Sequence, residues 1–211
     1  SAFASLYCSI VALNSKDLTQ WLAAVAATFG SFTAFGMAIN RPQTIYGSIL
    51  FTFAGALVCI GLLALIDRFS RVFASTQPFE ISCLLRTNKK CAIILAVLLL
   101  MALGVPGSPF FGAYLLTVAE SFTTLPAPTF CIGLAFCIVG FSVFRLFLPL
   151  FSGESPYREF EKKPDLTQRA FSLYLALLIP LAFLAIRPSA VHEKITPLLK
   201  HFSKYAPEAE R

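Results

Sequence analysis

The sequence predicts an all-α, polytopic membrane protein, and three observations carry that expectation. Only 13% of the 211 residues are charged while 57% are apolar, against the roughly 25% charged residues of an ordinary soluble domain. The apolar residues fall in long runs, several of them close to the roughly 20 residues that an α-helix needs to cross a bilayer. The formal net charge of +6 lies almost wholly between those runs, where it acts on membrane orientation and lipid headgroups. Nucleic acid is not an expected partner.

Taken in order, Ala2 to Leu13 is apolar but short, and reads as the end of a membrane helix, so the chain is expected to start partway through a larger unit. Asn14-Ser15-Lys16-Asp17 is a polar break that places Asp17 at the positive end of the next helix. Leu18 to Ile39 is the first complete span, and its Ala, Gly and Ser residues let neighbouring backbones approach closely. Asn40-Arg41-Pro42 ends it. Thr44 to Ile66 is the second span, closed by Asp67-Arg68-Phe69-Ser70-Arg71. Val72 to Lys90 is a mixed, charged connector.

Cys91 to Val105 and Ser108 to Phe122 flank the most irregular stretch of the chain. There Gly104, Pro106, Gly107 and Pro109 interrupt what is otherwise one long apolar run. Proline lacks the backbone donor and clashes with the preceding turn, so the helix must break. Two arrangements satisfy that demand. One is a helix-turn-helix connection at the membrane surface. The other is a discontinuous span, which places loosened backbone at membrane depth where protein or a water-lined cavity surrounds it. Thr123 to Pro128 reads as a loop, Thr129 to Phe151 as a span carrying Arg145, and Ser152 to Gln168 as the longest polar segment. Ala170 to Ile186 is the last span, stopped by Arg187-Pro188. The reading is six spans plus the N-terminal piece. Residues 1–188 form a transmembrane helical domain and residues 189–211 a basic, amphipathic surface tail. The six cysteines (Cys8, Cys59, Cys83, Cys91, Cys131 and Cys137) form no C-x-x-C pair and read as small apolar side chains. No metal-ligand spacing, P-loop or nucleophile-base pair appears.

Four stretches together resemble one family. Asp17 to Ala26, D-L-T-Q-W-L-A-A-V-A, is similar to that family's D-L-K-R-x-I-A-Y-S-S segment. Tyr46 to Arg68 resembles its helix ending in L-Y-D-R, and Gly104-Val105-Pro106-Gly107-Ser108 with Phe111 its G-L-P-G-T-x-x-F. Lys163 to Arg169, K-P-D-L-T-Q-R, resembles its D-L-x-x-R-E. The family is the antiporter-like membrane subunits of respiratory complex I, with subunit 4 of the mitochondrial NADH dehydrogenase (chain M in bacteria) the most similar branch. The resemblance covers the whole chain but only the C-terminal half of the family's fourteen-helix fold. It implies inverted repeats, each with one broken helix, and places the break at Pro106-Gly107 with one of them. It also implies a separate chain that supplies the N-terminal half.

The resemblance further implies a proton path of buried Lys, Glu and His near the bilayer midplane. Carried over position by position, the family's lysine falls on Thr19, its two histidines on Phe29 and Phe51, and its glutamate on Tyr114. Phenylalanine does not titrate, and a phenol titrates at about 10, so neither carries protons well at neutral pH. Lys16, Glu120 and Arg145 are the polar residues that keep a residual path open. Against each stands a structural role: an interfacial lysine, a helix-end carboxylate, and an arginine bound to a protein partner. The resemblance therefore implies a largely structural membrane-arm subunit of a proton-pumping NADH:ubiquinone oxidoreductase. NADH and ubiquinone belong to the complex, and this chain binds no cofactor or metal. The expected partners are other membrane-arm subunits and lipids, in the mitochondrial inner membrane or alternatively a bacterial plasma membrane. A stand-alone Mrp-type cation/proton antiporter component is the alternative reading.

Overall fold

A computed structural model of the chain describes residues 1–73, 77, 84, 88–152 and 166–186. Among them are seven helices: α1 (Ala2–Asn14), α2 (Leu18–Ala38), α3 (Pro42–Phe73), α4 (Lys89–Ala102), α5 (Pro109–Thr124), α6 (Pro126–Ser152) and α7 (Gln168–Ile186). Four of these contain stretches long and apolar enough to cross a membrane: Leu18–Ala38, Pro42–Val72, Pro126–Pro149 and Gln168–Ala185. The protein is a multi-pass membrane chain. The core of the connector expected after Val72, the polar segment after Ser152, the Arg187-Pro188 stop and the tail 189–211 lie outside the described residues.

Local chemistry sets the helix ends. Asp17 precedes α2, and its carbonyl accepts the Trp21 N–H at 3.0 Å; its carboxylate makes no cap bond. Asn40 takes a left-handed φ of 57° after α2, a conformation that Asn tolerates better than most side chains. Pro42 then opens α3, where its missing N–H would have had no helical partner. Two boundaries differ from the sequence reading. Asp67 to Arg71 does not close α3 but continues it, because no Gly or Pro intervenes after Gly61 and Arg71 bridges Asp67 one turn back at 2.9 Å. The expected loop at 123–128 shrinks to Leu125, since Pro126 begins the next helix directly.

The helices alternate in direction. Ser1 to Phe3 share a cavity with Phe35, Ala38 and Ile39 and with Leu125, Ala127 and Pro128, so the start of α1, the end of α2 and the start of α6 lie at one end of the bundle. At the opposite end the Leu13 carbonyl meets Arg145, Lys90 meets Gln168, and Asp67 and Arg71 share a cavity with Ala170. The packing of α4 and α5 decides the question left open by the sequence. Leu98 of α4 lies against Gly61 of α3, Phe110 of α5 against Gly55 and Phe51, and Ala113 and Thr117 against Gly47. Both pieces thus run antiparallel to α3 and follow one another along it. At 14 and 16 residues they are about 21 and 24 Å long, each short of the roughly 30 Å hydrocarbon core. End to end they make one crossing. The six apolar segments expected after α1 are all helical, and two of them share a single path.

Small residues hold this arrangement together. A methyl group added at Gly47 would overlap the Thr117 hydroxyl, and one at Gly36 the Ser48 hydroxyl. Such contacts are how membrane helices gain packing energy where lipid removes the hydrophobic drive. Trp21 ties α2 to α6 by donating its indole N–H to Ser142 Oγ at 2.9 Å, with its ring edge-on to Phe147 at 4.9 Å.

Candidate functional site

The break between α4 and α5 is built from backbone hydrogen bonds. After Leu103, Gly104 adopts φ +67°, its N–H reaches the Met101 carbonyl at 3.0 Å and the Val105 N–H reaches Leu100 at 3.4 Å. This 5→2 and 6→1 pair is a Schellman closure, which satisfies carbonyls that a cut helix leaves open. Gly107 has φ +97°, and Ser108 N–H bonds to the Val105 carbonyl at 2.8 Å. Ser108 Oγ then accepts the Phe111 N–H at 3.3 Å with Pro109 in the first turn, so α5 restarts with a side-chain cap. A helix interrupted at membrane depth needs its freed groups answered in this way.

Directly beside the break, six aromatic rings from four helices converge. They are Phe29 and Phe32 of α2, Phe51 of α3, Phe110 and Tyr114 of α5, and Phe136 of α6. Phe29 and Phe32 are three residues apart and Phe110 and Tyr114 four, so each pair lies on one helix face. Phe51 is central: its ring lies 4.3 Å from Phe32, 4.9 Å from Phe110, 5.3 Å from Phe29 and 5.6 Å from Phe136 between centroids. Tyr114 closes the group, 4.9 Å from Phe136 and 5.9 Å from Phe32. Phe32, Phe51 and Phe110 are fully buried and Phe29 nearly so.

Three of the four expected proton-path positions, Phe29, Phe51 and Tyr114, therefore meet in one place. Thr19 does not; it is exposed in the first turn of α2, ten residues before Phe29. None of the three residual candidates reaches the rings. Lys16 is exposed in the α1–α2 turn. Glu120 pairs with Arg41 at 2.6 Å, joining the last turn of α5 to the α2–α3 turn. Arg145 donates from Nη1 to the Leu13 carbonyl, one of the last of α1, where a cation also favours the negative end of the helix dipole. Sequence reasoning left the partners of Glu120 and Arg145 open and did not include Phe32, Phe110 or Phe136 in the site.

The nearby hydroxyls do not form a file through the cluster. Thr28, Thr52 and Thr117 each donate to a carbonyl of their own helix, at 2.9, 2.8 and 2.9 Å. Thr33 and Thr52 make the one hydroxyl contact between helices there among the described residues, at 3.1 Å. Chemically, the rings offer no group that changes charge near neutral pH. Among the described residues no three His, Cys, Asp or Glu side chains converge as a metal site.

Geometry of this kind has solved counterparts. The chain superposes on a chain of respiratory complex I from Thermus thermophilus, in a structure with bound NADH, at a TM-score of 0.87 and 21% identity over 96% of its length. It superposes on a chain of the Mrp complex from Dietzia sp. DQ12-45-1b at 0.79 and 14% identity over 90%. The chain shares its fold with these chains of membrane complexes. A further match, again in Thermus thermophilus complex I but with bound Aureothin, has a TM-score of 0.66 at 18% identity over 90% of this chain. In each case the protein spans 43% of the other chain. No protein-family model matches the sequence, and no curated protein sequence does. Within this shared fold, the broken helix is α4–α5 and the ring cluster lies against its second half.

Proposed function

We propose that this protein is a membrane-arm subunit of a proton-pumping NADH:ubiquinone oxidoreductase, a half-length form of the subunit 4 type, whose role is to seal and space the arm. One observation supports the reading: rings stand at the positions onto which the resemblance carries the family's proton path, and the cluster they form contains no carboxylate, amine or imidazole. A proton relay needs groups that trade protons with trapped water. Phe29, Phe51 and Tyr114 supply no such group near neutral pH. The fold supports the assembly part of the proposal, because its solved counterparts include chains of complex I.

Its partners in this reading are neighbouring membrane-arm subunits and a separate chain that supplies the N-terminal half. The open face of α1, with Phe3 81% and Tyr7 70% exposed and Ile10 and Val11 beside them, supports a docking surface for that chain. NADH and ubiquinone are handled by other subunits. The location proposed is the mitochondrial inner membrane, with a bacterial plasma membrane as the alternative. A second reading, a component of a stand-alone Mrp-type cation/proton antiporter, draws support from the likeness to the Mrp chain. A mild-detergent native gel of the source membranes, stained for NADH oxidation and probed for this chain, separates the two. Co-migration with a large NADH-oxidising band is expected. Migration in a smaller complex without that activity overturns the proposal in favour of the antiporter reading.

A further inference from the structure

The two halves of α5 are held in different ways. Its first turns carry Phe110 and Tyr114 into the ring cluster. Beyond Tyr114 its buried side chains are Thr117 and Ser121, and Leu116 and Val118 are only half-buried. Both buried hydroxyls donate to carbonyls of α5 itself, Thr117 to Ala113 at 2.9 Å and Ser121 to Thr117. Neither therefore bonds a neighbouring helix. Thr117 lies against Gly47 of α3 and Gly36 of α2, and the Ser48 hydroxyl packs against Gly36 as well. Thr44, Ser48, Thr117 and Ser121 are fully buried, and among the described residues Ser48 Oγ has no hydrogen-bond partner.

Among the described residues, one polar link ties this second half of α5 to another element: Arg41 Nη1 to Glu120 Oε1 at 2.6 Å. Both ends of the link stand on fixed backbone. Thr44 Oγ1 grips Arg41 twice, donating to its carbonyl at 2.9 Å and accepting its N–H at 3.3 Å. Thr123 Oγ1 donates to the Glu120 carbonyl at 2.8 Å. The charged groups stay open to solvent, with side-chain exposures of 46% for Arg41 and 25% for Glu120. Such a pair fixes position well and costs little to break, because water and salt compete for both charges. We propose that Arg41–Glu120 is a releasable clip. When it opens, the second half of α5 parts from Gly36 and Gly47 while the ring-packed first turns stay in place. Water then reaches Ser48 and supplies the partner that its buried hydroxyl lacks. An ion pair of this exposure shifts the open fraction by roughly two- to fivefold.

The test introduces Ser48→Cys into a cysteine-free form of the full chain, purified with its partners in mild detergent, and follows its reaction with a small water-soluble thiosulfonate. Arg41→Gln and Glu120→Gln should each speed labelling roughly two- to fivefold, and the double variant no more than either alone. The charge-swapped Arg41→Glu/Glu120→Arg should return toward the unaltered rate. The two Gln variants change local charge in opposite senses, so an effect on thiol reactivity alone would drive their rates apart. Unchanged rates, rates moving in opposite directions, or additive effects overturn the clip. Hydrogen exchange separates release from general loosening. Residues 115–124 should exchange faster in the Gln variants and residues 89–102 at the unaltered rate; equal acceleration of both segments overturns the proposal. If the Gln variants do not fold, the unaltered chain decides. Raising salt to about 1 M, where the screening length is about 3 Å, should speed exchange in residues 115–124 alone, and no such rise overturns the clip.

Discussion

The side chains that matter most here are those that do not titrate. Phe51 touches rings from three other helices, and each aromatic pair adds about 0.5–1.5 kcal/mol beyond its buried area. Phe51→Ala is expected to cost about 3–5 kcal/mol, read as a marked fall in the thermal denaturation midpoint of the solubilised protein. Tyr114→Phe keeps every ring contact, so it should leave both that midpoint and proton flux in reconstituted vesicles nearly unchanged. A large loss of flux in a fully assembled Tyr114→Phe complex would revive the proton path. Part of this was legible in advance: Phe29, Phe51 and Tyr114 stand at positions that the family resemblance singled out. Phe32, Phe110 and Phe136 were not, because a chain with 22 phenylalanines presents lipid-facing and core-facing rings in the same apolar runs. The partner of Arg145 was illegible for a different reason. A backbone carbonyl exists at every residue and leaves no trace in sequence.

Among the elements, the α4–α5 break was the clearest local signal and the least decided one. Gly104, Gly107 and Ser108-Pro109 specify a Schellman stop followed by a capped start. Those signals serve a surface turn and an in-line interruption equally well. Only the succession of contacts along α3, from Gly61 through Gly55 to Gly47, separates the two, and contacts so distant in sequence cannot be read from spacing. Gly107 and Gly112 give a paired test. Nothing lies within 4 Å of a Cβ added at either, but Gly107 holds φ +97°. Gly107→Leu should therefore cost about 1–2 kcal/mol through backbone strain and lower the amount of folded chain in membranes. Gly112→Ala, inside α5, should match or exceed the unaltered level, since Ala favours a helix by about 0.5–1 kcal/mol. Equal levels in the two variants would show that the left-handed turn does not matter for folding.

For the whole molecule, the sequence shows basic loops at many points without sorting them. The alternation of helices does. Lys16, Arg68, Arg71, Lys89, Lys90 and Arg169 gather at one end, while Arg41, paired with Glu120, stands at the other among the described residues. By the positive-inside rule, the first end is the one expected to stay on the side from which the chain is inserted. In a cysteine-free background, Lys89→Cys should react with an impermeant maleimide only in inside-out vesicles and Asn40→Cys only in right-side-out ones. The reverse pattern would mean that neighbouring subunits, not this chain, fix its orientation. The in-line break also settles the parity of the chain. Had α4 and α5 folded back as a hairpin of two crossings, the ends of α2 and α7 would emerge on different sides of the membrane. As a single interrupted crossing they bring Ala38 and Ile186 to the same face. The α2–α3 turn and the end of α7 therefore share one side, and a two-glycine turn within the membrane is what puts them there.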